Sequence, residues 1–436
     1  MRKPPRRNKL HSQQQKRPMP FSQLAETLIG SEIVRLGGEI KEKIRQGAHV
    51  YNFTIGDFDP SIFPIPAELE QGIIEAYRQH YTSYPAAEGN LDLREALAAF
   101  IQQKQGLSYT TSEILIASGG RPLIYTVFRA ICDKGDKVIY AAPSWNNNHY
   151  THFVEGEHIL IETTAATNFM PTAEMIRPHI QEASLLSLCS PQNPTGTTFR
   201  KEELAAICDL VLEENKRRGP QEKKLYVMYD QMYWHLTYGS IQHHDPVSLK
   251  PAMKEYTIFI DAISKVFAAT GVRVGWSMGP APLIQKMKMI LTHIGAWAPM
   301  AEQKALTGFL ANTAAIDSYL IEFKAGIEKR LRTIHDGFQK MKAAGLAVDS
   351  IAPEAAIYLT VRIDLKGKQS AENTILDSQA AVTSYLLDQA SLALVPFYAF
   401  GTDADSPWYR LSVGTCKEEE IPVFLGKLEE AIRKLQ

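Results

Sequence analysis

Between about residue 67 and residue 300, short apolar runs alternate with amphipathic helical patterns, and this alternation constrains the fold more than any other feature of the chain. The runs cover residues 113–118, 136–142, 158–162, 183–189, 224–229 and 257–260, and are rich in β-branched and aromatic residues. Between them, apolar positions recur at helical spacing, as at Leu123, Val127 and Ile131. Short runs of this kind separated by helices predict parallel strands with helical crossovers, a doubly wound α/β sheet whose functional groups gather beyond the carboxyl ends of the strands. The chemistry-bearing residues do follow the runs: Gly119-Gly120, Trp145, Asn193, Asp230 and Lys265.

Outside this region the texture changes. Residues 21–47 read as helix, and a short strand at 50–55 runs into Gly56-Asp57-Phe58-Asp59-Pro60. A long helical pattern spans 306–344, strands are expected at 358–363, 392–395 and 408–413, and a helix closes the chain over 418–435. The expected organisation is a tail (1–20), a segment joining the smaller domain (21–66), a large domain (67–315) and a small α+β domain (316–436). No internal repeat is present.

Lys265 follows the buried run Thr257-Ile258-Phe259-Ile260, and Arg273 comes eight residues later, after the turn Thr270-Gly271. A lysine is a nucleophile only when neutral, and burial or a neighbouring cation lowers its pKa toward that state. A single lysine after a strand is by default a surface residue, and only its companions elsewhere in the chain set Lys265 apart. Gly119-Gly120-Arg121-Pro122 opens a helix, where backbone N–H groups and the helix dipole suit a phosphate. Ser190 to Gly196 is turn chemistry carrying Asn193. Asp230 ends a strand, with Tyr233 three residues on. Arg410 lies in Trp408-Tyr409-Arg410, where alternation puts Trp408, Arg410 and Ser412 on one face.

The near-balanced charge of −1 gives no electrostatic case for nucleic acid or a membrane surface. No run approaches the roughly 18 apolar residues of a membrane span, and there is no secretory signal. The four cysteines lack metal-ligand or CxxC spacing, which predicts free thiols in a cytoplasmic setting and no metal site. Residues 1–20 hold seven Lys or Arg and no acid, and are expected to form a disordered solvated tail.

With Gly56, Tyr84, Gly119-Gly120, Trp145, Asn193-Pro194-Thr195-Gly196, Asp230, Tyr233, Lys265, Arg273 and Arg410 in this order, the chain resembles the class I/II aminotransferases over roughly residues 30 to 430. These are pyridoxal-phosphate enzymes of the aspartate aminotransferase superfamily, fold type I, with a mostly parallel seven-stranded sheet in the large domain. The resemblance implies that Lys265 carries the cofactor as a Schiff base and moves a proton between substrate and cofactor. It implies that Asp230 pairs with the pyridine nitrogen, that Tyr233 and Asn193 bind the phenolic oxygen, and that Trp145 stacks on the ring. Gly119, Gly120, Arg121, Ser264 and Arg273 are then the phosphate site, with Tyr84 reaching in from a second subunit of a homodimer. Arg410 becomes the clamp for the substrate α-carboxylate, assisted by Gly56, Trp145 and Asn193.

Three positions depart from the family pattern. Ala262 replaces the usual Ser or Gly three residues before the lysine, Phe58 stands where many relatives have proline, and Ala356 where a glycine is common. The resemblance favours transfer of an amino group from an L-amino acid to a 2-oxo acid. Other chemistry with the same cofactor, such as β-elimination in a C–S lyase or a synthase reaction, is the second reading. A cofactor-sensing transcription regulator is the third, disfavoured because the basic tail is too short for a DNA-binding domain.

Overall fold

The structure is a computed structural model of the 436-residue chain and describes residues 21–28, 30, 32–370 and 373–436. The tail expected at residues 1–20 lies outside the described residues. Thirteen strands are present among these residues: β1 Tyr51–Asn52, β2 Ile114–Ala117, β3 Lys137–Ala142, β4 Glu157–Glu162, β5 Ala183–Cys189, β6 Tyr226–Asp230, β7 Thr257–Ala262, β8 Gly275–Met278, β9 Val348–Ser350, β10 Tyr358–Ile363, β11 Leu392–Ala393, β12 Val395–Pro396 and β13 Trp408–Ser412.

Strands β2 to β8 form one seven-stranded sheet in the order β2-β8-β7-β6-β5-β3-β4. The pairs from β7 through β6, β5 and β3 to β4 are all parallel, and β8 runs antiparallel to both β2 and β7. Each central strand is buried on both faces, so its side chains alternate between two apolar layers. In β7, Phe259 packs into one core, while Ile258 and Ile260 pack into the other beneath the helix Gly120–Ile131. The strand exits therefore lie together along one edge of the sheet. This is the mostly parallel, seven-stranded fold-type-I sheet that the resemblance implied.

The remaining strands form a four-stranded antiparallel sheet, β12-β13-β10-β9, and a short parallel pair of β1 with β11. Arg410 sits in β13, an interior strand flanked by β12 and β10 and not an edge.

Several expected elements differ in detail. The helical reading of 21–47 resolves into Gln23–Thr27 and Glu32–Arg45. The strand expected at 50–55 is ordered as β only over Tyr51–Asn52, because only those residues find a partner strand. The 306–344 pattern is two helices, Met300–Ala311 and Thr313–Ala343, broken at Asn312, whose side chain caps the second by accepting from Ala315 N. The 392–395 run splits between two sheets as β11 and β12. Strands β8 and β9 were not anticipated; Gly275-Trp276-Ser277-Met278 has no clear alternation, and its strand state follows from being paired on both sides.

Candidate active site

One cavity of about 920 Å³ opens where the exits of β5, β6 and β7 meet β13 and the Gly56 loop. Eleven of the thirteen expected site residues line it. Gly120, Arg121 and Arg273 are at one end, Asp230 and Tyr233 in the middle, Asn193, Gly56 and Arg410 at another side, with Lys265, Ser264 and Trp145 completing the wall. Gly119 and Tyr84 are not among its lining residues.

Lys265 stands on the single helical turn Ile263–Val266 that follows β7. Its Nζ donates to the Gly56 carbonyl and lies 5.7 Å from the centre of the Phe58 ring. Burial brings its pKa down to about 8; Asp57 opposes this, while Arg410, Arg121 and Arg273 add to it. Apolar burial and three guanidinium groups thus hold this amine well below the ordinary lysine range, so that its neutral form is accessible near neutral pH. The Asp57 carboxylate is itself held by the Thr270 hydroxyl at 2.6 Å.

Asp230 ends β6. Burial raises its pKa to about 6, against a single stabilising contact from Met232 N at 3.0 Å. Among the described residues it has no ion-pair partner, so it is a half-buried carboxyl oriented by the backbone and open to a cationic ligand group. Tyr233 and Tyr358 share a hydrogen bond of 2.6 Å between their hydroxyls.

Arg410 is 3% exposed. Its Nη2 donates to Thr54 O at 2.7 Å and its Nη1 to Asn193 Oδ1 at 3.1 Å, while its Nε has no partner. The guanidinium lies between the rings of Tyr358 and Phe400, at 4.8 and 5.1 Å from their centres. Burial lowers its pKa, yet no carboxylate of the described residues neutralises it. A buried guanidinium with donor capacity left over is a receptor for a carboxylate.

Arg273 donates to Thr270 O and to Ser118 O, at 2.5 and 2.8 Å, which turns its guanidinium along the Gly119 backbone. Gly119 has φ +92°, and a Cβ there would lie 2.1 Å from Arg273 Nη2, so both backbone conformation and space demand glycine. Gly119 therefore sits behind the cavity wall and lets the cation approach the start of the Gly120–Ile131 helix. Arg121 rests 4.8 Å over the Trp145 ring and, among the described residues, makes no ion pair. Tyr84 is 85% exposed, with its ring packed edge-on against Trp297 at 5.4 Å, and does not line the cavity of its own chain.

The departures acquire physical explanations. Ala262 is fully buried at the end of β7 and contributes nothing to the cavity, whereas Ser264 lines it. Phe58 packs against Phe63 and Phe323 beneath Lys265 and supplies part of its apolar surroundings. Ala356 keeps a glycine-like backbone at φ 60°, held by its N–H bond to Leu236 O. Sequence reasoning missed the parts of Tyr358 and Asp57 in the site, and that Ile33, Gly37 and Ile40 of the helix Glu32–Arg45 line the cavity. Asp57 adjoins the singled-out Gly56, but nothing in the sequence pairs Tyr358 with Tyr233.

A family model described as aminotransferase class I and II matches residues 48–428. The chain belongs to that family and is a transaminase; the family depends on pyridoxal phosphate. The aspartate aminotransferase of Rhizobium meliloti is 26% identical over 414 residues, covering 93% of this chain and 94% of that protein. The aspartate aminotransferase of Bacillus sp. (strain YM-2) is 28% identical over 418 residues, covering 94% and 96%. Among solved structures, the Rhizobium meliloti aspartate aminotransferase aligns with a TM-score of 0.88 at 26% identity, over 96% of this chain and 100% of that one. The Thermus thermophilus aspartate aminotransferase with maleate gives 0.83 at 26% identity, over 95% and 100%. Among the described residues no helix is long and apolar enough to cross a membrane, and no cluster suits a metal ion.

Proposed function

We propose that this transaminase binds pyridoxal 5′-phosphate at Lys265 and moves the amino group of an L-amino acid to a 2-oxo acid by a ping-pong cycle. The observation that carries the reading is the coexistence, in one cavity, of a lysine with a depressed pKa, a half-buried carboxyl and a buried guanidinium, the last two without an ion-pair partner among the described residues. Each lacks the partner that this cofactor and an amino acid supply. When bound, the cofactor supplies a conjugated electron sink for charge developing at the substrate Cα.

The chain's residues take complementary tasks. Lys265, neutral in an appreciable fraction, takes and returns the proton at Cα. Asp230 holds a negative charge toward the ring nitrogen and keeps that nitrogen protonated. Tyr233 donates to the phenolic oxygen, and Asn193 adds a second contact there. Gly120, Arg121, Ser264 and Arg273 would receive the phosphate, with Gly119 shaping the turn behind them, and Trp145 would cover the ring. Arg410 grips the α-carboxylate, with Gly56 leaving room beside it. The segment 21–66 joins the small domain 316–436, and the large domain is 67–315. Acidic donors are favoured, because the relatives above are named aspartate aminotransferases. Four free thiols, three of them buried, support a cytoplasmic setting.

Incubation with a panel of amino acids and 2-oxoglutarate, reading new amino acids together with ammonia and pyruvate, tests the reading. Transamination yields a new amino acid without ammonia; release of ammonia and pyruvate assigns the protein to β-elimination.

Asp230→Ala is expected to retain part of its cofactor and to lose most of its turnover, because an unprotonated ring nitrogen is a poor electron sink. Kinetics at saturating cofactor check this, and near-normal turnover removes Asp230 from the mechanism.

A homodimer with shared sites is the proposed assembly. The exposure of Tyr84 supports this reading, because such a ring is free to reach a second subunit, and two-fold dimers are the commonest closed assembly. Light scattering on active protein should give twice the 48.8 kDa chain mass; an active monomer contradicts it.

A further inference from the structure

The hydroxyl of Tyr358 occupies a junction in the cavity. It lies 2.6 Å from the Tyr233 hydroxyl. It also fills the space beside Gly56, where a Cβ would meet it at 2.8 Å. The Gly56 carbonyl accepts from Lys265, and the Tyr358 ring carries the Arg410 guanidinium on its face at 4.8 Å. Tyr358 thus touches elements on both sides of the site: it opens β10 beside the strand of Arg410, while Tyr233 follows β6 in the large sheet.

Each phenol has one proton to give. If Tyr233 donated to Tyr358, its proton would be spent inside the pair and could not reach a ligand. If Tyr358 donates, the Tyr233 proton is free to point into the cavity, and a hydroxyl that accepts one bond donates a stronger one. The cation over the Tyr358 ring draws electron density from it and favours Tyr358 as the donor. Burial holds both phenols above their ordinary pKa, so both keep their protons at neutral pH.

We propose that Tyr358 is a positioning residue for the transamination, its hydroxyl donating to Tyr233 and thereby directing the Tyr233 proton at the phenolic oxygen of the cofactor. The proposal rests on the reading of Tyr233 given above, and the experiment separates the two. Donation to the phenolic oxygen favours negative charge there, and that charge is greatest when the Lys265 nitrogen has lost its proton. Weaker donation therefore leaves the proton on nitrogen to higher pH.

The test is a pH titration of the visible absorbance of the holoenzyme in four forms: the parent, Tyr233→Phe, Tyr358→Phe and the double variant. The midpoint is expected to rise in Tyr233→Phe, and to rise by roughly 0.5 to 1 pH unit in Tyr358→Phe. The double variant should match Tyr233→Phe, because Tyr358 acts only through Tyr233. In Tyr358→Phe the aromatic face under Arg410 is retained, so kcat should fall while KM for the amino acid stays constant. A shifted Tyr233→Phe with an unshifted Tyr358→Phe overturns the proposal alone, as does an equal Tyr358→Phe shift in both backgrounds. An unshifted Tyr233→Phe overturns the Tyr233 reading and the proposal with it.

Discussion

Lys265→Ala is expected to lower the rate of amino transfer by at least about 10³-fold, because the side chain both attaches the cofactor and carries the proton at Cα. The other titratable groups at the strand exits of this cavity are no substitute for an amine. Asp230 is a carboxyl turned by the Met232 N–H, and Tyr233 and Tyr358 are phenols bonded to each other and held protonated by burial. The parent protein also predicts a pH signature. With a pKa of about 8 instead of the ordinary lysine value, cofactor-free protein should react with pyridoxal phosphate faster as pH rises, with a midpoint near pH 8 and a plateau about one unit above it. The sign follows from the lysine being a base: its reactive neutral form accumulates as pH passes upward through the depressed pKa. Stopped-flow measurement of that reaction between pH 6 and pH 10 checks it, and single-turnover kinetics of Lys265→Ala check the rate. A variant retaining a tenth of parental turnover is incompatible with either role.

The second large effect is expected at Arg410. A bidentate, charge-assisted pair in a water-poor site is worth about 2 to 4 kcal/mol, so Arg410→Lys should raise KM for every amino-acid donor roughly 30- to 1,000-fold. A lysine there cannot keep the Thr54 and Asn193 contacts while presenting a planar fork to a carboxylate. Cofactor affinity should barely change, since the variant leaves Asp230, Arg273 and the Gly119-Gly120 turn intact. Steady-state kinetics on the best donor, with cofactor titration alongside, measure both. An unchanged KM and kcat would leave the carboxylate site unlocated.

Why some of this was legible in the sequence, and some not, is a matter of range. The β7 run and Lys265 are contiguous, so the buried strand and the reactive group at its exit could be read together. Asp230 with Tyr233, and Gly119-Gly120 at a helix start, are also local. Arg410 could be placed on a strand by alternation, but its burial comes from β10 and β12 on either side, and those pairings join distant segments. The Tyr233 and Tyr358 bond spans 125 residues and leaves no mark on either neighbourhood. The strand β8 carries glycine and serine among its four residues, and pairing with β2 and β7 overrides its weak pattern. The helix Glu32–Arg45 could be read as amphipathic, but not that its Ile33 and Ile40 line the active-site cavity. The break at Asn312 carried one local signal, a good capping residue before Thr313, inside an otherwise continuous helical pattern.

The central claim is that Lys265 is the attachment point of pyridoxal phosphate. Borohydride reduction of the cofactor-loaded protein, followed by peptide mapping, tests it most directly. The account predicts a yellow protein that bleaches on reduction and a single phosphopyridoxyl adduct on the peptide containing Ser264-Lys265-Val266. An adduct on another lysine, or none, would contradict it.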